Sequence, residues 1–349
     1  MLFNLPLPIK IFATRGTQEL AENIYNSAKP LINPASVNSL HLGKPIFIDF
    51  SNDNIVCQVD NVRGHFTVIT HTQTPPVSNG LIELFNLLDA IINAQPADIL
   101  LVFPYMPYSR SDRKNKPRIS VMAERLADII STSFRIRHAI LLDPHDSHIK
   151  HYFRPAADEI TAVYLIADYI EKELFKVYPK QETVLVFPDA GAAKRFGQIA
   201  HILGLPTAYI DKDRPDHAEN PDIKKVVGDI DKKFCLLIDD EILTGSTSEK
   251  DAKTLKKEGA IKVCAINIHG ILAEKEKPEN EVVQKMEKSV IDDFIITDSV
   301  PVRHKIVSPT KFTVLSIYPL LAQAIIRTVC NESLTELHEP KNVHLYRSF

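Results

Sequence analysis

The sequence predicts an α/β protein built from two tandem, mainly parallel sheets, each flanked by helices. Short apolar runs alternate with helical patterns along nearly the whole chain, which is the mark of strand–helix–strand units. The runs fall into two series of five, meeting around residues 155–165. A chain of 349 residues is also long enough for two domains with separate cores.

In the first series, apolar runs bounded by polar or turn residues place strands at residues 9–13, 46–50, 66–69, 99–103 and 139–142. Apolar residues at helical spacing place helices at 18–28, 79–93 and 120–131. The second series gives strands at 183–187, 207–210, 234–238, 262–268 and 293–297, with helices at 162–175, 192–203, 248–258 and 317–330. Residues 272–289 are charged, contain Pro278, and read as a decorating helix and its loops. The duplication rests on element order, because no strict residue repeat is visible. The expected domains are 1–160 and 161–311, with a returning helix within 312–330 packing on the first.

Composition excludes several function classes. At 44% hydrophobic and 24% charged, with a formal charge of −3, the chain is an average globular protein. It gives no whole-chain reason to expect nucleic-acid or membrane-surface binding. Cys57, Cys235, Cys264 and Cys330 lie far apart without a C-x-x-C pair, which fits a reducing cytoplasm. The apolar start is short, carries two prolines and lacks a basic head, so it does not read as a signal peptide.

The most informative stretch is Cys235-Leu236-Leu237-Ile238-Asp239-Asp240-Glu241-Ile242-Leu243-Thr244-Gly245-Ser246-Thr247. A buried strand leads into two carboxylates, a small-residue turn and a helix. Gly245 permits a tight turn, so backbone amides and the Thr244, Ser246 and Thr247 hydroxyls can surround a phosphate. Asp239 and Asp240 would repel that phosphate on contact. They suit ribose hydroxyls, or a metal held by those hydroxyls, one sugar length away.

Four more segments follow strands, where a doubly wound sheet places ligands. Residues 104–116 bring four cations (Arg110, Arg113, Lys114, Lys116) close to Tyr105 and Tyr108, whose rings could stack on a base while Arg110 reaches a phosphate. Asp143-Pro144-His145 could hold a Mg²⁺-bound triphosphate, His145 donating to phosphate oxygen and Asp143 acting through metal-bound water. His145, His148 and His151 suggest zinc, but no thiolate or Glu-x-x-His completes such a site. Asp189-Ala190-Gly191 opens a helix whose free amides can bind pyrophosphate, beside Lys194 and Arg195. Residues 211–222 read as a polar, proline-bearing flap whose Lys212 and Arg214 could neutralise charge developing on a phosphoryl group.

Taken as a set, these segments resemble the ribose-phosphate diphosphokinase (PRPP synthetase) family, which has the phosphoribosyltransferase-type fold. Phe103-Pro104-Tyr105 through Lys114 resembles its nucleotide loop, and Asp143 through Phe153 its Asp-Leu-His signature. Residues 188–195 resemble its pyrophosphate loop, and Lys212 and Arg214 its catalytic flap pair. The resemblance implies two phosphoribosyltransferase-like domains and transfer of pyrophosphate from Mg-ATP to the anomeric hydroxyl of ribose 5-phosphate, giving PRPP and AMP. It implies nucleotide contacts from Phe50, Asn52, Asn54, Arg110, Ser111, Asp112 and His145, with Mg²⁺ near His145 and Asp189. It further implies a cytoplasmic homo-oligomer, a dimer or a hexamer built from dimers. Two alternatives share the sugar loop: a PRPP-dependent phosphoribosyltransferase, and a weakly active homologue that regulates a synthetase. The chain departs from the family pattern in known places. Phe50-Ser51-Asn52-Asp53-Asn54 stands for Phe-x-Asp-Gly-Glu, Ser111 for Gln, and Pro144, His148 and His151 for Leu, Gln and Gly. These changes predict weaker discrimination between ATP and other nucleoside triphosphates.

Overall fold

A computed structural model describes residues 2–72, 75–213, 222–275, 278–306 and 310–347. The chain divides into two compact units. The first comprises Met1–Ala162, Ser299–Pro301 and Ile317–Ser348, and the second Val163–Asp298 and Val302–Ser316.

In the first unit, β1 (Ile9–Ala13), β2 (Leu40–Leu42), β5 (Phe66–Thr70), β6 (Asp98–Phe103), β7 (His138–Leu142) and β8 (Asp158–Ile160) form one parallel sheet, ordered β2-β1-β5-β6-β7-β8. β1 and β5 are buried at every position, as strands covered on both faces must be, so they read as mainly apolar runs interrupted only by Lys10, Thr67 and Thr70. The helices are α1 (Gln18–Ala28), α2 (Val77–Asn93) and α3 (Met122–Ser133). On α2, Leu84, Leu87, Leu88 and Ile91 form one fully buried stripe at helical spacing. Each such side chain contributes about 1.5–3 kcal/mol of burial.

The expected parallel strand at 46–50 is not part of that sheet. β3 (Ile46–Asp49) pairs antiparallel with β4 (Ile55–Gln58) in a separate two-stranded ribbon. Its apolar residues Ile46, Ile48 and Val56 are exposed rather than buried, so apolar character alone misplaced it. Arg15 ties the ribbon down through Asp49 (2.7 and 2.9 Å) and Glu83 (2.6 Å).

The second sheet runs β11-β10-β9-β12-β13-β14-β15. Its strands are β9 (Thr183–Phe187), β10 (Thr207–Asp213), β11 (Asp222–Val227), β12 (Phe234–Ile242), β13 (Lys262–Gly270), β14 (Asp293–Thr297) and β15 (Phe312–Leu315). All pairs are parallel except β10–β11. Its helices are α4 (Val163–Lys172), α5 (Ala190–Leu203), α6 (Ser246–Lys257) and α7 (Glu279–Glu287). Gly204, at φ 60°, closes α5 in the left-handed conformation that glycine tolerates best. The last helix, α8 (Tyr318–Val329), packs against α1 within the first unit. Among the described residues, no helix is long and apolar enough to cross a membrane.

Candidate active site

In the second unit the acids lie inside a strand, not after it. β12 continues to Ile242, and Asp239 still pairs with Asn267 of β13. Asp240 donates its backbone N–H to Asp239 (2.9 Å), and Glu241 donates to Asp240 (2.8 Å). Arg195 on α5 reaches Asp240 at 3.2 Å. Asp239 has different neighbours. Burial, then the neighbouring charges of Asp240 and Asp189, push its carboxyl up to about 8.

Asp189 also caps α5, accepting from Ala192 N–H at 2.9 Å. That leaves the amides of Ala190 and Gly191, the first two of the helix, with no intrahelical acceptor. One carboxylate thus anchors the helix start and adds negative potential at Asp239.

The turn after β12 is built around Gly245, whose φ of 70° initiates α6. A Cβ there would lie 2.9 Å from Met286 Cγ, so glycine is required by both backbone and packing. Thr244 donates to Ser246 (3.0 Å), and Lys285 of α7 donates to the same Ser246 hydroxyl at 2.9 Å. Lys285 was not foreseen. It lies 39 residues from Ser246, and only the packing of α7 brings it to the loop. Thr247 follows within the first turn of α6.

In the first unit, the loop after β6 folds partly on itself. Ser111 donates to Ser120 carbonyl oxygen and accepts from Met122 N–H, both at 3.1 Å, so its hydroxyl helps start α3. Ser109 accepts from His145 N–H at 2.7 Å, linking this loop to the turn after β7. Arg110 is exposed and Asp112 buried. Two expectations need correction here. Tyr105 is only 5% exposed and packs in the core, so it offers no open face for a base. Asp143 accepts from Thr161 Oγ1 and from Ala162 N–H, both at 2.7 Å, and so joins β7 to the segment after β8 instead of presenting its carboxylate to a hydrated metal.

Phe50, Asn52 and Asn54 form the tip of the β3–β4 ribbon. Phe50 N–H donates to the Asn54 carbonyl oxygen (2.8 Å), Asn54 N–H donates to the Asn52 side chain (3.3 Å), and Phe50 is 49% exposed. Of the flap pair, Lys212 has its backbone in β10, opposite Ile223. Arg214 lies outside the described residues, as does the Lys212 side chain.

Two doubly wound units with ligand-type loops at strand ends define an α/β protein of the phosphoribosyl class. Residues 9–133 match the N-terminal domain of ribose phosphate pyrophosphokinase, and residues 182–339 the phosphoribosyl synthetase-associated domain. Ribose-phosphate pyrophosphokinase 1 of Listeria monocytogenes is 32% identical over 95% of this chain and 97% of its own. The Fusobacterium nucleatum ribose-phosphate pyrophosphokinase is 30% identical over 94% and 98%. The crystal structure of Mycobacterium smegmatis phosphoribosylpyrophosphate synthetase superposes with a TM-score of 0.80 at 27% identity, covering 93% of this chain and 99% of that one. The chain belongs to the ribose-phosphate pyrophosphokinase family.

Proposed function

We propose that the protein is a PRPP synthetase that joins ATP and ribose 5-phosphate. The carrying observation is the full-length match to named ribose-phosphate pyrophosphokinases, which extends across both units. That span disfavours a single-domain phosphoribosyltransferase, and the shared enzyme name disfavours a silent regulator. In the reaction, the anomeric hydroxyl attacks the β-phosphorus, loses its proton, and displaces AMP. No covalent protein intermediate is needed, because positioning and electrostatics dominate phosphoryl transfer.

Asp239 and Asp240 orient the ribose hydroxyls, Arg195 fixing the Asp240 carboxylate. Thr244, Gly245, Ser246 and Thr247 take the 5-phosphate, with Lys285 adding a cation at Ser246. The Ala190 and Gly191 amides face the pyrophosphate. Arg110 and His145 take nucleotide phosphates. Asp112 and the inward-committed Ser111 shape the loop that presents them. Lys212 and Arg214 act on charge in the transferred group. Phe50, Asn52 and Asn54, exposed on the ribbon, serve the adenine pocket of a second subunit, and the exposed apolar Ile46, Ile48 and Val56 support a homo-oligomer, a dimer or hexamer.

Mg²⁺ fits the second unit on one observation. Asp239 is held protonated to about pH 8 among Asp240 and Asp189, an all-oxygen group that a hard cation would favour in its ionised form. Asp189 and Asp239 would hold it there, with His145 serving on the nucleotide side, and the ion would offset triphosphate charge. Four free cysteines, two fully buried, support a cytoplasmic setting.

The test is incubation of the purified protein with ribose 5-phosphate and Mg²⁺ plus ATP, GTP, CTP or UTP, with products resolved chromatographically. PRPP and AMP in equal amounts are expected with ATP. ADP in place of AMP overturns the reaction type.

A further inference from the structure

We propose that Asp112, Asp146 and His148 form a binding site for a divalent transition cation that pins the loop after β6 to the turn after β7. The site does not depend on the reaction proposed above. One ligand atom from each of the three residues lies within 4.8 Å of the others. Asp112 is only 2% exposed, and its buried Oδ2 has no hydrogen-bond partner. That atom faces His148 Nε2 at 3.8 Å.

The hydrogen bonds around the ring show why a cation belongs between them. His148 Nδ1 lies 2.6 Å from Asp146 Oδ1, and a carboxylate can only accept, so Nδ1 carries the hydrogen. In the neutral ring Nε2 is then a lone pair. Its other neighbour, the Tyr152 hydroxyl at 3.1 Å, donates its own hydrogen to the Asp112 carbonyl oxygen at 2.5 Å. Nε2, Tyr152 Oη and Asp112 Oδ2 therefore converge with no hydrogen among them. Two atoms bound to one cation at about 2.0–2.2 Å lie roughly 3–3.6 Å apart, so Nε2 and Oδ2 need close by only a few tenths of an ångström.

The donor set gives the class. One imidazole nitrogen with carboxylate oxygens favours zinc, cobalt or manganese over magnesium. The Asp146 carboxylate on Nδ1 lies on the far side of the ring from Nε2 and is the outer partner that orients the metal-binding histidine, while Asp112 Oδ2 and His148 Nε2 are the atoms that reach the ion. The three histidines of 143–153 thus do not make the site together. His148 alone enters it, and the acids it lacked come from the folded loop and from its own turn.

The test titrates the full chain with Co²⁺ in excess Mg²⁺ and without nucleotide. The wild type is expected to take up one equivalent with visible absorption bands that His148→Gln lacks. Asp146→Ala should weaken it about 10–100-fold, while Asp239→Asn keeps it, which separates this ion from one at the β12 acids. In ¹⁵N NMR of the wild type, His148 Nε2 should shift on Co²⁺ or Zn²⁺ addition. Equal Co²⁺ uptake by the wild type, His148→Gln and Asp146→Ala overturns the proposal. So does an imidazole that stays doubly protonated at saturating metal, which would mean that a proton alone fills the gap.

Discussion

Asp239 and Asp240 are adjacent in sequence yet occupy different electrostatic settings, and that difference predicts distinct behaviour. Asp240 has Arg195, whereas Asp239 has burial and two nearby acids. An acid raised from 3.8 to about 8 on folding keeps its proton longer than the unfolded chain does. Stability of the metal-free protein therefore falls as pH rises between those values. Asp239→Asn should flatten this slope and raise stability near pH 9, while urea unfolding of the wild type at pH 5 and pH 9 shows the decline. A wild type equally stable at both would remove the assigned shift. Asp240→Asn should weaken ribose 5-phosphate binding even at saturating nucleotide, as read by calorimetry. The pair itself was plain in the sequence. Their unequal partners were not, because Arg195 reaches Asp240 from α5, 45 residues earlier in the chain, and Asp189 comes from the cap of the same helix.

At the scale of elements, the start of α5 does two jobs through one side chain. Asn caps helices about as well as Asp, so Asp189→Asn should leave stability within about 0.5 kcal/mol. Asp189→Ala should cost about 0.5–2 kcal/mol. Both should lower the pH at which Asp239 ionises, since both remove the same charge. If Asp189→Asn destabilises as much as Asp189→Ala, the cap is not what matters there. The β3–β4 tip carries amides where the resembled family has carboxylates. Catalytic efficiency for ATP over GTP should accordingly rise in Asn52→Asp/Asn54→Glu, by about 1–3 kcal/mol, the scale of one unsatisfied buried group. An unchanged ratio would detach the ribbon from base selection. The parallel strands were legible because burial on both faces writes a mainly apolar run, as in residues 184–187 of β9. The ribbon's place outside the sheet was not, since Ile46, Ile48 and Val56 are exposed while Phe47 and Cys57 pack against the core, and an exposed apolar strand face looks the same in sequence as a buried one. Short edge strands such as β2 and β8, three residues each, leave too few positions for any period to show.

Across the whole molecule, chain order and the recurring strand-loop-helix unit gave the α/β class, while the loop motifs taken as a set carried the resemblance to the family before any contact was known. What the sequence left open are the long-range meetings: Lys285 at Ser246, Arg195 at Asp240, and His148 at Asp112. Each depends on packing between elements distant in the chain, and none has a local motif. The central claim is attack by the anomeric oxygen of ribose 5-phosphate on the β-phosphorus of ATP. Its most direct test is turnover of ribose 5-phosphate labelled with ¹⁸O at the C1 hydroxyl, with the products analysed by mass spectrometry and ³¹P NMR. The proposed reaction predicts PRPP that retains the label in its C1–O–P bridge, with one AMP formed per PRPP. Loss of the label from that bridge, or ADP as the nucleotide product, would contradict it.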